Sequence, residues 1–237
     1  MRYFLLLPGL LTLWAAGPAQ AQTFETSVHL TGGGFNFRGN SAVRETVLIS
    51  VRTADNDGYT NNPYGARPGF SYGAALQLQR VTKSRLLLGL QAGYERLRSR
   101  VDLILIGGPW DDNLANIKGK TTLTNEFVNA HPFVGRRFGL GNVDLDLSAG
   151  ADLGLLFYSR EKGRATDENG RVYSVDQGRD QPALDARARL DLTAYYQRFG
   201  LALSYSHGLS NYRRDWVGGV NDAYAQVWRA GVVYRLQ

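Results

Sequence analysis

Polar and apolar side chains alternate one by one along most of this chain. In residues 143–157, VDLDLSAGADLGLLF, one face carries Val143, Leu145, Leu147, Ala149, Ala151, Leu153, Leu155 and Phe157. The other carries Asp144, Asp146, Ser148, Gly150, Asp152 and Gly154. A period of two marks an extended strand with unlike faces, because successive side chains point to opposite sides. A helix would scatter the three aspartates around its surface. The same rhythm runs through Phe70–Leu78, Leu86–Tyr94, Leu184–Tyr196, Leu201–Leu209 and Tyr224–Leu236. It predicts eight strands near 23–37, 69–81, 85–99, 124–138, 142–158, 183–198, 200–212 and 223–237. Pro132 falls inside the fourth, where its missing N–H is expected to break the strand or mark a bulge.

Short turns near 82–84, 139–141 and 198–200 alternate with long segments near 38–68, 100–123, 159–182 and 213–222. The long segments hold turn formers such as ADNDGYTNN (54–62) and GGPWDDN (107–113). This alternation places every long connection at one end. The expected fold is all-β: an eight-stranded antiparallel up-and-down transmembrane β-barrel with four long extracellular loops and three short periplasmic turns. A soluble barrel also alternates, but turns its apolar face inward.

Three features turn the apolar face outward. Full charges of both signs sit within strands: Glu95, Arg137, Asp144, Asp146, Asp152, Asp185, Arg187, Arg189, Asp191, Arg229 and Arg235. They are expected to pair inside a closed lumen. The strands are about 12 to 16 residues long, whereas a tilted strand crosses a bilayer in roughly 9–11. Aromatics stand near strand ends on the apolar faces, as in an interfacial girdle: Phe70, Tyr72, Phe157, Tyr196, Tyr205, Tyr224, Trp228 and Tyr234. Side chains fill the interior of an eight-stranded barrel, so a general diffusion porin is not expected.

The start of the chain reads as an address. Arg2, the apolar run 4–16 and Ala19-Gln20-Ala21 form a signal peptide (1–21), to be cleaved before a barrel domain of 22–237. The expected location is the bacterial outer membrane, reached through the periplasm. There are no cysteines, so stability has to come from packing and barrel closure rather than disulfides. The net charge of +6 is spread over strands and loops, and an exported chain gives nucleic acid little chance as a partner.

Residues 205–211, YSHGLSN, resemble a recurring tyrosine/glycine-leucine/asparagine segment of the outer-membrane protein beta-barrel domain family, small porin-like proteins common in Bacteroidetes. LGLQAGYERLRSR (88–100) resembles that family's third strand. Arg229, Gly231, Tyr234 and Leu236 match the general insertion signal read by the barrel assembly machinery. The resemblance covers roughly 22–237. It implies a membrane location and an eight-stranded fold, and no single activity.

Candidate chemistry is sparse. His29, His131 and His207 share no metal-ligand spacing. ADNDG (54–58) lacks the rest of a calcium loop, and no helix follows Gly32-Gly33-Gly34 to make a phosphate loop. His207 and Ser210 resemble the pair used by outer-membrane lipid A deacylases, but three residues apart they fall on opposite faces of a regular strand. No catalytic residue, metal or cofactor is assigned. The expected function is a non-enzymatic structural or interaction barrel. Its expected partners are outer-membrane lipid and lipopolysaccharide, the assembly machinery during insertion, and an extracellular ligand on the loops. A lipid-modifying enzyme and a soluble exported lipid-binding barrel are the alternatives. Loop cations are Arg38, Arg44, Arg52 and Arg67 in the first loop region, Arg160, Lys162, Arg164 and Arg171 in the third, and Arg213 and Arg214 at the fourth.

Overall fold

The computed structural model describes residues 23–51, 58–108, 114–214 and 221–236. The expected signal peptide (1–21), Arg52 and most of the ADNDG segment lie outside the described residues. Eleven strands follow in chain order: β1 (Thr23–Arg38), β2 (Glu45–Ser50), β3 (Gly58–Thr60), β4 (Arg67–Val81), β5 (Leu86–Gly107), β6 (Ala115–Leu140), β7 (Val143–Asp167), β8 (Val172–Gly178), β9 (Leu184–Tyr196), β10 (Phe199–Gly208) and β11 (Tyr224–Arg235). Eight of them close a ring, β1–β4–β5–β6–β7–β9–β10–β11, with every neighbour antiparallel and β11 returning to β1. The fold is an eight-stranded up-and-down barrel with three short turns at one end and the long connections at the other.

Closure leaves the outer and inner faces to sort the alternating side chains. On β7, Leu147, Leu153 and Leu155 are exposed while Asp146, Asp152 and Gly154 are buried. The outward run from Leu145 to Leu155 spans eleven residues, enough for a tilted strand to cross a bilayer. Leu76, Leu88, Leu90, Val134, Leu190, Leu201 and Val232 extend this apolar belt around the ring. An apolar outside around a charged inside is the construction of a transmembrane β-barrel.

The three short turns share a backbone feature. Arg85, Gly141 and Gln197 each take a left-handed φ, of 62°, 63° and 54°. The two-residue hairpins at 141–142 and 197–198 favour such a residue because its twist matches that of the flanking strands, and in the longer turn before β5 the left-handed residue, Arg85, comes last, as in loops built on a type I turn. Only Gly141 adopts it without a Cβ penalty.

Two expectations are corrected. Residues 100–107, 115–123, 159–167 and 172–178 are strand rather than long loop. β5, β6 and β7 run on as a ribbon far past the barrel, and β8 folds back on β7 through pairs such as Lys162↔Asp176. Arg67, Arg160, Lys162 and Arg164 therefore stand on strands. Within the first connection, β2 pairs in parallel with the upper part of β5, and β3 pairs with β2.

Pro132 neither breaks β6 nor marks a bulge. It pairs with Leu90, and the register to β7 is the same on both sides, at Ala130↔Leu153 and Phe133↔Gly150. The register sets Pro132 opposite Ala151, whose carbonyl proline cannot serve; His131 Nδ1 lies 3.1 Å from that oxygen instead. The bulge of this pair lies higher, between Glu126 and Phe127 of β6, where β7 carries one extra residue. There Phe157 and Tyr158 are both exposed, and the inward phase of β7 switches, so that Glu161 and Ala165 are buried.

Candidate functional site

The lumen is the most elaborate polar arrangement in the molecule, and it is built in layers. Nearest the short turns, Arg137 of β6 reaches Glu25 of β1 with two bonds of 2.7 Å and Asp146 of β7 with bonds of 2.6 and 2.7 Å. Gln79 donates to Glu25 at 2.8 Å, and Arg235 approaches Glu25 at 3.4 Å while covering the Tyr195 ring at 4.0 Å. Asp144 is at the rim, 41% exposed, 3.8 Å from both Arg137 and Arg235.

In the middle layer, Arg189 donates to Asp191 at 2.8 Å and to Gln91 at 2.9 Å, and His131 Nε2 lies 3.1 Å from Asp191. The next layer centres on Arg187, which is wholly buried. It meets Glu95 directly, Asp185 at 3.1 Å and Asp152 at 3.5 Å, with Phe127 beneath its guanidinium. Arg229 donates to Glu95 at 2.6 Å, Asp152 at 3.1 Å and Ser206 at 2.7 Å. Isolated charges in so dry a place cost several kcal/mol each, and here every one has an opposite charge in reach.

Apolar groups close the lumen above the charges. Phe37 packs edge-on against Phe35, Tyr64 and Tyr212 at 4.9 to 5.1 Å. Tyr64 and Tyr212 come from the long connections folded down into the mouth. Tyr212 donates to Asp185 at 2.7 Å, and Tyr64 donates to the Tyr212 carbonyl at 3.1 Å. Burial first, and the Asp185 charge second, push the Tyr212 phenol well above its ordinary pKa. Two gaps among the described lumen residues are cavities of about 20 Å³, one between His29, Gln79 and Arg189 and another beside Tyr94 and Asn129. Each has room for about one water.

Above the mouth the ribbon and β2, β3 and β8 make a structured cap. Its core is Leu48, Leu103, Ile106, Ile117, Ala165 and Val175. Arg179 ties its halves together, donating to buried Glu161 at 2.8 and 2.5 Å and to the Thr60 carbonyl at 2.6 Å. Thr60 Oγ1 donates to the same carboxylate at 2.6 Å.

The structure thus gathers Glu95, Asp152, Asp185, Arg187 and Arg229 into one cluster, Arg189 and Asp191 into a second, and Arg137, Asp146, Asp144 and Arg235 into a third. Sequence reasoning missed Glu25, Glu161, Arg179 and the tyrosine plug. Glu25 had a signal, since it shares the period-two face of Ser27 and His29. The plug had none, because Tyr64 and Tyr212 lie in irregular segments.

The aromatics form two girdles. Trp228 packs tilted against Tyr205 at 4.4 Å and Phe70 lies by Tyr72 at 6.4 Å on the cap side. Tyr94 and Phe157 continue that row, 6.1 Å apart. On the turn side Tyr196 and Tyr234 are joined by Phe24 and Phe199, with Phe199 5.1 Å from Tyr234. Tyr224 starts β11 and is half-buried. Of the insertion-signal positions, Arg229 points into the lumen, Gly231 pairs with Thr31, and Tyr234 and Leu236 face outward. His207 and Ser210 do not meet. His207 Nδ1 lies 3.3 Å from Tyr205 Oη, and Ser210 Oγ accepts from the Ala186 amide at 2.9 Å. Among the described residues no group of three or more metal-ligating side chains is found.

No family model and no curated protein matches the chain. Among solved structures it is similar to Ail, the attachment invasion locus protein of Yersinia pestis, in complex with the heparin analogue sucrose octasulfate (14% identity, 90% of this chain, 99% of that chain, TM-score 0.33). Neisserial surface protein A is similar at 10% identity (91% and 99% of the chains, TM-score 0.33). The translocator domain of the autotransporter NalP from Neisseria meningitidis is similar at 12% identity (92% and 90%, TM-score 0.24).

Proposed function

We propose that the chain is a bacterial outer-membrane β-barrel that works as a non-enzymatic interaction scaffold. It would hold a rigid cap above the membrane on a barrel that does not conduct. The observation that carries this reading is the sorting of side chains on a closed ring. Leucines and aromatics cover the outside, and paired charges fill the inside. A soluble exported lipid-binding barrel needs the reverse. The packed lumen and its plug support a structural role for the interior. The exported start, the lipopolysaccharide-bearing leaflet, recognition of Tyr234 and Leu236 by the assembly machinery, and kinship with the small porin-like family of Bacteroidetes belong to the same proposal.

The β7–β8 hairpin and β2–β3 lie outside the ring, so the cap is where recognition is expected to reside. The test replaces 164–176 with a short Gly-Ser turn in cells. Retained heat-modifiable assembly with lost adhesion to an external partner supports the scaffold. Unchanged surface interactions reduce the protein to a role in membrane packing. The enzyme alternative is tested by His207→Ala followed by lipid A mass analysis; a change in acylation would revive it.

A further inference from the structure

The barrel is lopsided above its upper girdle. β10 and β11 end within four residues of Tyr205 and Trp228, whereas β5 runs on from Tyr94 to Gly107 and β7 from Tyr158 to Asp167. The inner face of this protruding ribbon is buried in the cap, through Ser99, Val101, Leu123 and Ala165. Its outer face continues the lipid-facing columns of the barrel, and the chemistry of those columns changes abruptly. On β5 the outward positions run Leu88, Leu90, Ala92, Tyr94, then Arg96, Arg98 and Arg100.

The neighbouring strands repeat the change in register. Arg98 pairs across Thr124 with Arg160, Arg100 across Thr122 with Lys162, and Lys120 pairs with Arg164. Lys118 extends the β6 column, and Arg67 of β4 pairs with Arg100. Among the described residues nine cations thus share one wall with three carboxylates. Glu126 lies 3.3 Å from Arg96, Asp102 2.6 Å from Arg67, and Asp176 2.5 Å from Arg160 and 3.2 Å from Lys162. Among the described residues no carboxylate comes within 4 Å of Arg98, Arg100, Lys118, Lys120 or Arg164. Cross-strand neighbours in a sheet stand about 5 Å apart and next-but-one positions along a strand about 7 Å. These cations therefore form a lattice in which one phosphate can touch two of them.

We propose that this wall is a docking face for the phosphate groups of glycolipids standing beside the barrel in the same leaflet. The inference rests on the outer-membrane reading above. Position selects the source of phosphate: Arg96 stands level with Tyr72 and Tyr158 and one row beyond Tyr94, and the other cations lie at or above it, the level at which a girdle places lipid headgroups. The face also looks sideways along the membrane rather than up into solvent. Charge complementarity supplies the attraction and Arg supplies bidentate geometry. Restriction of the lattice to the β5–β6–β7 side makes the docking one-sided, fixing which flank of the barrel gathers phosphorylated lipid.

The test uses the refolded full barrel in zwitterionic detergent, with bis-phosphorylated lipid A and phosphatase-treated lipid A as probes and retention read by native mass spectrometry. The parent should hold the phosphorylated probe at least roughly tenfold more tightly than the treated one, and R98Q/R100Q/K120Q/R164Q should lose that margin. R136Q/R198Q, at the turn end, should keep it. Raising salt from 50 to 500 mM should weaken parent binding several-fold, a readout that does not depend on the variant folding. Equal retention of both lipids, salt-independent binding, or inorganic tripolyphosphate binding as tightly as lipid A would overturn the proposal. Insertion into phosphatidylcholine vesicles, followed by heat-modifiable mobility, separately tests the membrane reading: a barrel that inserts but ignores phosphate sinks only the docking face.

Discussion

Replacing Arg187 with methionine should cost the barrel about 3–5 kcal/mol. Arg187 is fully buried, and it is the cation shared by Glu95, Asp152 and Asp185. Methionine fills much of the same volume over the Phe127 ring but brings no charge. Arg229 would still hold Glu95 and Asp152, at 2.6 and 3.1 Å. Asp185 would keep only the Tyr212 hydroxyl, at 2.7 Å. The loss is therefore that of breaking a buried pair and leaving one carboxylate without a cation, not of stripping all three. A compensated variant separates charge from packing: R187M/D185N removes the orphan and should recover at least about half of the loss. The assay is a guanidinium titration of the barrel in lipid vesicles, read by tryptophan fluorescence and by heat-modifiable mobility. An R187M barrel within about 1 kcal/mol of the parent would refute the reasoning, since it would mean that water already solvates these carboxylates.

Three further outcomes are expected. Gly33→Val should block assembly, because a Cβ at Gly33 would collide with the Trp228 carbonyl of β11 in the β1–β11 closure; a folded, heat-modifiable band would contradict this. In the cap, hydrogen bonds from Arg160 and then Lys162 hold the Asp176 carboxyl below the usual aspartate range. That pairing stabilises the β7–β8 hairpin at neutral pH and is lost only as pH falls through the depressed value, so hairpin amide protection, corrected for the intrinsic pH dependence of exchange, should stay flat from pH 7 to about 4 and fall below it. The mature N-terminus should be Gln22, read by mass analysis; retained Met1 would refute export.

The barrel was legible because one rule governs its membrane zone: lipid outside, charges inside. That rule fixed the phase of β7, β9, β10 and β11 from Leu, Asp and Arg positions alone. It failed above Glu95 because the solvents exchange places there. Outside the ribbon is polar, and inside is the cap core. On β5 the outward column therefore passes from Leu90 to Arg98 while the inward one passes from Gln91 to Leu97 and Val101. The apolar face of β5 changes sides with no extra residue in that strand; the register shift of the β4–β5 pair at this level falls in β4, between Pro68 and Tyr72. On β7 the extra residue at the bulge shifts the phase as well. A reader following one face sees the alternation stop and infers a loop. The lumen charges were visible because strands space them evenly. Glu161 and Arg179 were not, since they come together only when β8 folds back on β7.

The central claim is that odd-numbered side chains of β7 between Leu145 and Leu155 touch lipid while their neighbours face a closed lumen. The chain has no cysteine, so single cysteines introduced from 145 to 155 carry no background. Each is labelled with a fluorophore in brominated-lipid vesicles, and quenching is read position by position. Quenching at 145, 147, 149, 151, 153 and 155 with none at 146, 148, 150, 152 and 154 is the predicted result. Quenching of the even positions, or ready reaction of the odd positions with a water-soluble thiol reagent in vesicles, would contradict it.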